Sequence, residues 1–180
     1  MLEITIPATE QWDESKQEFI TTKATSLRLE HSLVSLSKWE SKWQKPFLTK
    51  DDKSLEETID YIRCMTLTQN VDPKVYYCIP SKVYDEINQY IESPMSATTF
   101  REDKTSKGGR EVITSELIYY WMIALNIPFE CQKWHLNRLL NLVRICNIKN
   151  QPAKKMGRQE TLRQNAALNA ARRKQLNTRG

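Results

Sequence analysis

The stretch Leu29-Glu30-His31-Ser32-Leu33-Val34-Ser35-Leu36-Ser37-Lys38-Trp39-Glu40-Ser41-Lys42-Trp43 decides the fold. Before it, apolar residues fall at every second position. From about Glu30 the period changes, and Leu29, Leu33, Leu36 and Trp43 recur at helical spacing with Trp39 alongside. The chain therefore passes from strand to helix within this segment. Pro46 lacks a backbone N–H and stops the helix.

Upstream, Leu2, Ile4 and Ile6 alternate with polar residues, the pattern of a half-buried strand that Pro7 ends. Residues 18–20 read as a second strand after a polar turn around Asp13 to Ser15. Residues 25–29 read as a third, with Leu27 and Leu29 on one face. The expectation is a small N-terminal β-meander.

Downstream, Ser54 and Glu57 form a capping box, and the helix they open places Leu55, Ile59, Ile62 and Met65 on one face. Asp72-Pro73 is a second helix start. Ser81 can cap a further helix with Val83, Ile87 and Ile91 inward, closed by Pro94. Residues 101–110, with Gly108-Gly109, read as an exposed loop or hairpin tip. Ser115 then caps an apolar helix over residues 116–126. Pro128 restarts the chain as one helix to about Asn147, with Leu136, Leu139, Leu140, Val143 and Cys146 apolar. The fold class is α+β, mostly α. Residues 1–149 form a single folded domain, β-rich over 1–29 and helical over 30–149. A flexible basic tail over 150–180 is either disordered or folded on a partner.

Composition narrows the function. Apolar residues are 39% of the 180, enough for one core, and four glycines are few for a nucleotide-binding fold. The N-terminus has no basic start followed by an apolar run, so no secretory leader is expected. Leu117 to Phe129 is too short to span a bilayer and reads as a buried helix. Cys64, Cys78, Cys131 and Cys146 are widely spaced in a chain with ample core, which suits a reduced, cytoplasmic setting. The charge is uneven. Residues 150–180 carry eight Lys or Arg and one acid, and the other 149 carry 19 bases and 21 acids, a near-neutral body with a basic tail.

The candidate chemistry is thin. Cys131 and His135 lie four apart on a predicted helix, with Cys146 a conceivable third ligand. Two histidines and no Cys-x-x-Cys pair do not make a zinc site, so no metal and no cofactor are expected. A Cys131–His135 dyad lacks an orienting group and an oxyanion hole. His31 sits at a helix start, where capping or packing suffices. Glu56, Glu57 and Asp60 favour the helix dipole. The expectation is a binding protein and not an enzyme. Trp39 and Trp43, one turn apart, with Phe47 just beyond, read either as core or as an aromatic surface for a partner. Trp12 lies in a polar stretch and is expected to be partly exposed; Trp121 and Trp134 are expected in the core.

The tail, with Arg163, Arg172 and Arg173, admits three readings: a solvated end, a segment that folds onto an acidic protein surface, or a binder of nucleic-acid phosphates. It has no aromatic residue to stack on bases, so nucleic acid is the least favoured partner.

Four stretches carry a resemblance. They are residues 29–43 quoted above, Asp60-Tyr61-Ile62 through Met65-Thr66-Leu67-Thr68-Gln69-Asn70-Val71, the segment Ile118-Tyr119-Tyr120-Trp121-Met122-Ile123-Ala124-Leu125-Asn126-Ile127-Pro128-Phe129-Glu130-Cys131, and Asn165-Ala166-Ala167-Leu168-Asn169-Ala170-Ala171-Arg172-Arg173. Together they resemble a group of tailed-bacteriophage virion morphogenesis proteins, over nearly the whole chain. Size and helical character are similar to those of siphophage tail assembly chaperones. That resemblance implies a host-cytoplasmic protein that coats the tape measure protein and helps recruit tail tube subunits, with self-association as a further possibility. It implies no catalytic residues. A structural virion protein of neck, tail or capsid is the alternative in the same setting, and a basic-tailed nucleic-acid-binding protein the alternative from another class. Helix-in-groove binding would need exposed apolar surface, for which Trp39, Trp43 and Phe47 are the candidates.

Overall fold

The computed structural model describes residues 1–13, 17–49, 51–100, 112–150 and 158–177. The expected loop at residues 101–110 and the turn residues 14–16 lie outside them. The chain is mostly helical with a small β element, and it divides into two units, residues 1–146 and 147–180.

Four strands form where three were expected. β1 (Leu2–Ile6) pairs antiparallel with β4 (Thr25–Leu29), and β2 (Thr9–Asp13) pairs with β3 (Glu18–Thr22). The arrangement is one hairpin nested inside another pair, not a meander. The missed strand, Thr-Glu-Gln-Trp-Asp, has one apolar residue and so no period-2 signal. In the outer pair Ile4 faces Leu27 and Leu2 faces Leu29. Ile4, Ile6, Leu27 and Leu29 are buried, and each such side chain contributes about 1.5–3 kcal/mol of apolar burial. The free edge of β4 is met by the segment after the second helix. Leu67 donates to the Arg28 carbonyl at 2.8 Å, and Glu30 donates to the Met65 carbonyl at 2.9 Å.

α1 (Leu33–Trp43) begins at a capping box in which Ser32 and Ser35 exchange bonds: the Ser32 N–H donates to Ser35 Oγ at 2.9 Å and the Ser35 N–H to Ser32 Oγ at 3.3 Å. It ends at Gln44, whose φ of 53° is left-handed. The left-handed positions among the described residues are taken by Gln, Asn and Met, with no glycine. α2 (Leu55–Met65) starts at the expected Ser54–Glu57 box. Asp72-Pro73 does open a helix, but a 3-10 one, Pro73–Cys78.

Two expected caps move by one residue. α3 (Ser81–Glu92) is capped by Pro80 and has Ser81 as its first residue. α4 (Ser115–Ala124) is capped by Thr114, whose side chain accepts the Leu117 N–H at 3.4 Å. The single helix expected from Pro128 is two. A 3-10 helix, Phe129–Lys133, is followed by α5 (Leu136–Asn150). The break falls at Trp134-His135, where His135 leaves helical geometry to form a bridge with Ser32.

The body has two apolar clusters, both served by α1. Trp39 joins the first with β1, β4, α2, the 3-10 helix Pro73–Cys78 and α3. Leu33 and Leu36 join the second with α4, the 3-10 helix Phe129–Lys133 and α5. Trp121 and Trp134 are half-buried against the second. Glu40 ties the parts together. It is 7% exposed; its Oε1 accepts the Phe47 N–H at 2.9 Å and its Oε2 the Ser115 N–H at 2.7 Å. Among the described residues no helix is long and apolar enough to cross a membrane. In the second unit, α6 (Arg158–Leu176) is a 19-residue helix whose described side chains are all exposed.

Candidate functional site

Trp39, Trp43 and Phe47 come together, but as core. Trp39 is 1% exposed, and its indole N–H donates to the Glu57 carbonyl at 2.8 Å. Phe47 lies edge-on to Trp39 at 5.0 Å and stacks on Tyr61 at 3.8 Å between centroids. Trp43 is half-buried and donates to Asp60 Oδ2 at 2.9 Å. Lys42 and Lys45 close the top of the joint on Asp60 and Glu57, at 2.5 and 2.6 Å. The Lys45 ammonium and the Ser54 N–H hold the Glu57 carboxyl below its usual range. The reading of these aromatics as a docking surface is therefore corrected for Trp39, which offers a partner nothing, and reduced to the rims of Trp43 and Phe47. The physical reason is that α1 turns Trp39 and Trp43 toward α2, which supplies polar acceptors for both indoles.

Arg163, Arg172 and Arg173 are exposed on α6. At about 3.6 residues per turn, nine residues make two and a half turns, so Arg163 and Arg172 point to opposite sides. Leu162, Leu168 and Leu176 are exposed too and, at about 3.6 residues per turn, fall within roughly 120° of one another on one side of the helix. The large apolar residues of the helix share one broad side, and its arginines are spread around it.

Two exposed apolar groups were not foreseen as sites. Trp12 and Phe19 stand directly opposite on β2 and β3, 52% and 62% exposed, with rings edge-to-face at 4.8 Å. Trp12 was expected to be partly exposed; Phe19 carries no sequence signal that would pair it with Trp12. Tyr120, Ile123 and Phe129 are exposed on α4 and the 3-10 helix after it.

The two histidines, which the sequence left apart, meet inside the body. His31 is 2% exposed and His135, expected to be semi-exposed, is 6% exposed. Their rings lie edge-to-face with centroids 5.0 Å apart. His31 Nδ1 is 2.6 Å from the Tyr61 hydroxyl. His135 Nε2 is 2.9 Å from the Tyr90 carbonyl, and its Nδ1 is buried with no hydrogen-bond partner. The Tyr90 hydroxyl donates to Glu30 Oε1 at 2.7 Å, and Glu30 Oε2 is 3.0 Å from the Met1 amino group. The backbones are joined as well, because Leu136 N–H donates to the His31 carbonyl at 2.7 Å. Just beyond, Asn137 donates to the Ile91 and Ser93 carbonyls at 2.9 Å each, and Asn141 to the Pro94 carbonyl at 3.4 Å. Three side chains of the α5 segment thus cap the carbonyl end of α3, which has no helical donors left of its own.

Burial holds both imidazoles below their ordinary range. His31 falls to about 3, through desolvation first and the neighbouring His135 second. His135 is lowered by desolvation, partly offset by its bond to Tyr90 and by Glu30. Burial also pushes the Tyr61 and Tyr90 hydroxyls up. All these groups are neutral near pH 7. Cys131 sits in the 3-10 helix and not on one helix with His135, which removes the geometry that suggested a shared metal or dyad. Among the described residues no cluster of three or more His, Cys, Asp or Glu could hold a metal ion. The four cysteines are unpaired. No family model, curated protein or solved structure matches the chain.

Proposed function

We propose that this chain is a tail assembly chaperone that binds a phage tape measure protein in the host cytoplasm and helps bring tail tube protein to it, working by binding and not by catalysis. The resemblance of the four quoted stretches supplies the setting, and α6 is the observation that carries the reading. An isolated helix of this length is marginal in water. A helix of 19 residues with every described side chain exposed has its apolar residues available to something else. Leu162, Leu168 and Leu176 on one broad side suit a helix whose apolar stripe lies against another helix, which a long helical client would provide.

Co-expression with the tape measure protein tests this, comparing the full chain with one ending at Asn150. The expected result is a soluble client that co-purifies with the full chain and is lost from the shortened one. A client that stays insoluble with both removes the proposal. A chaperone is also absent from purified particles, and finding the chain there would make it a structural component of neck, tail or capsid.

Arg172-Arg173-Lys174 favours a second reading, in which α6 neutralises nucleic-acid phosphates. Affinity for duplex DNA that falls steeply with salt would support it.

A further inference from the structure

We propose that His31 and His135 form an acid-sensitive latch across the seam between the two apolar clusters, shut while both rings are neutral and opened when either gains a second proton.

The geometry fixes the proton. A carbonyl oxygen only accepts, so the 2.9 Å contact from His135 Nε2 to Tyr90 makes Nε2 the protonated nitrogen. The lone pair is then on Nδ1, which is buried and faces no donor or acceptor. A second proton there would place an N–H and a positive charge where nothing can receive either. His31, 5.0 Å away, cannot share that charge, since a second imidazolium would repel it.

The titratable groups around the pair come from every neighbouring element. They are the Met1 amino group before β1, Glu30 after β4, Tyr61 on α2 and Tyr90 on α3. Glu30 is the one acid among them, and its oxygens are already engaged by Met1 and Tyr90. Burial outweighs its attraction, and both rings bind protons more weakly shut than in water.

The sign follows from that. An open state binds protons near the ordinary imidazole value of about 6.5, and the shut state does not. Stability is complete above that pH and declines as pH falls below it, for His31 down to about 3. Each pH unit in this window favours opening by about tenfold through His31, and the lowered His135 adds to it. What parts is the His31–Leu136 backbone bond and the Ser32–His135 bridge, and with them the hold of α5 on the end of α3.

The test is urea unfolding of the full chain at pH 7.5 and pH 5.5, beside the double variant H31N/H135Q. Asn keeps a polar atom at the Nδ1 position toward Tyr61, and Gln keeps a donor toward the Tyr90 carbonyl, and neither titrates. The wild type is expected to lose at least about tenfold in its folding equilibrium constant over this interval beyond whatever the variant loses, through His31, with His135 adding to it. Equal losses in both, or none in the wild type, would overturn the latch. Should the variant not fold, ring-proton NMR of the wild type decides. Rings that stay neutral until the protein opens support the proposal; rings that titrate near 6.5 in an unchanged fold refute it.

Discussion

Glu40→Gln is the substitution that tests how the body is braced. Glu40 lies in the middle of α1, and its two oxygens accept one backbone N–H each, from Phe47 and from Ser115 at the start of α4. Glutamine has the same shape but only one acceptor. Its carbonyl oxygen can satisfy one N–H, and its amide NH2 then confronts the other, donor against donor. A hydrogen bond to a charged group contributes about 1.5–3 kcal/mol, and a buried donor left without an acceptor costs about 1–3 kcal/mol. One bond weakened to a neutral one and one donor orphaned together cost roughly 2–4 kcal/mol. For a domain of this size the melting temperature should fall by roughly 5–15 °C. Thermal and urea unfolding followed by far-UV circular dichroism at pH 7 measure it, with Glu3→Gln, exposed on β1, as the control expected within about 0.5 kcal/mol. The denaturant slope should not change, because the unfolded surface is the same. If Glu40→Gln lies within about 0.5 kcal/mol of the wild type, the two bonds do not hold α4 to α1 and the bracing argument fails.

Other substitutions separate core from surface. Trp39→Ala should cost about 3–5 kcal/mol and abolish near-UV dichroism, whereas Trp12→Ala with Phe19→Ala should cost no more than about 1 kcal/mol, since both rings are mostly in solvent. Urea midpoints of the two variants give the comparison directly, and similar losses would contradict it. Ser54→Ala removes the acceptor for the Glu57 N–H and should destabilise by about 1 kcal/mol in the same assay. Gln44→Gly relieves the left-handed backbone at φ 53° and should raise the unfolding free energy by about 0.5–1 kcal/mol; a loss would mean that the Gln44 side chain makes contacts worth more than the strain.

The fold was legible where a signal is local. Period 2 in Leu2, Ile4 and Ile6, the change of period after Leu29, and the Ser54–Glu57 box each specify an element from neighbouring residues alone. The errors are local signals that another interaction overrode. Ser115 looks like a cap, but its N–H is taken by Glu40, and Thr114 caps instead. The segment from Pro128 reads as one helix by its apolar spacing, and it breaks where His135 pairs with Ser32. The Ser32–Ser35 box escaped notice because serine replaces the Glu or Gln that the pattern asks for.

The seam was not legible for a deeper reason. Many of the polar contacts that join the parts of the body run between a side chain and the backbone. Trp39 donates to the Glu57 carbonyl, His135 to Tyr90, Asn137 to Ile91 and Ser93, and Glu40 accepts from Phe47 and Ser115. A backbone carbonyl or N–H is the same at every residue, so its identity as a partner leaves no mark on the residue that carries it. Sequence reading could single out Trp39, His31 and His135 as unusual and could not say what they meet. Three of those contacts converge on the last turn of α3, where the carbonyls lack helical donors. The signal that existed was therefore a pairing of two facts: a helix end closed by proline, with Pro94 after Tyr90 and Ile91, and a later helix start at which the uncharged polar residues His135, Asn137 and Asn141 stand with Arg138 among leucines. Polar residues there are hard to explain as core, and they make sense as donors to an end that needs them.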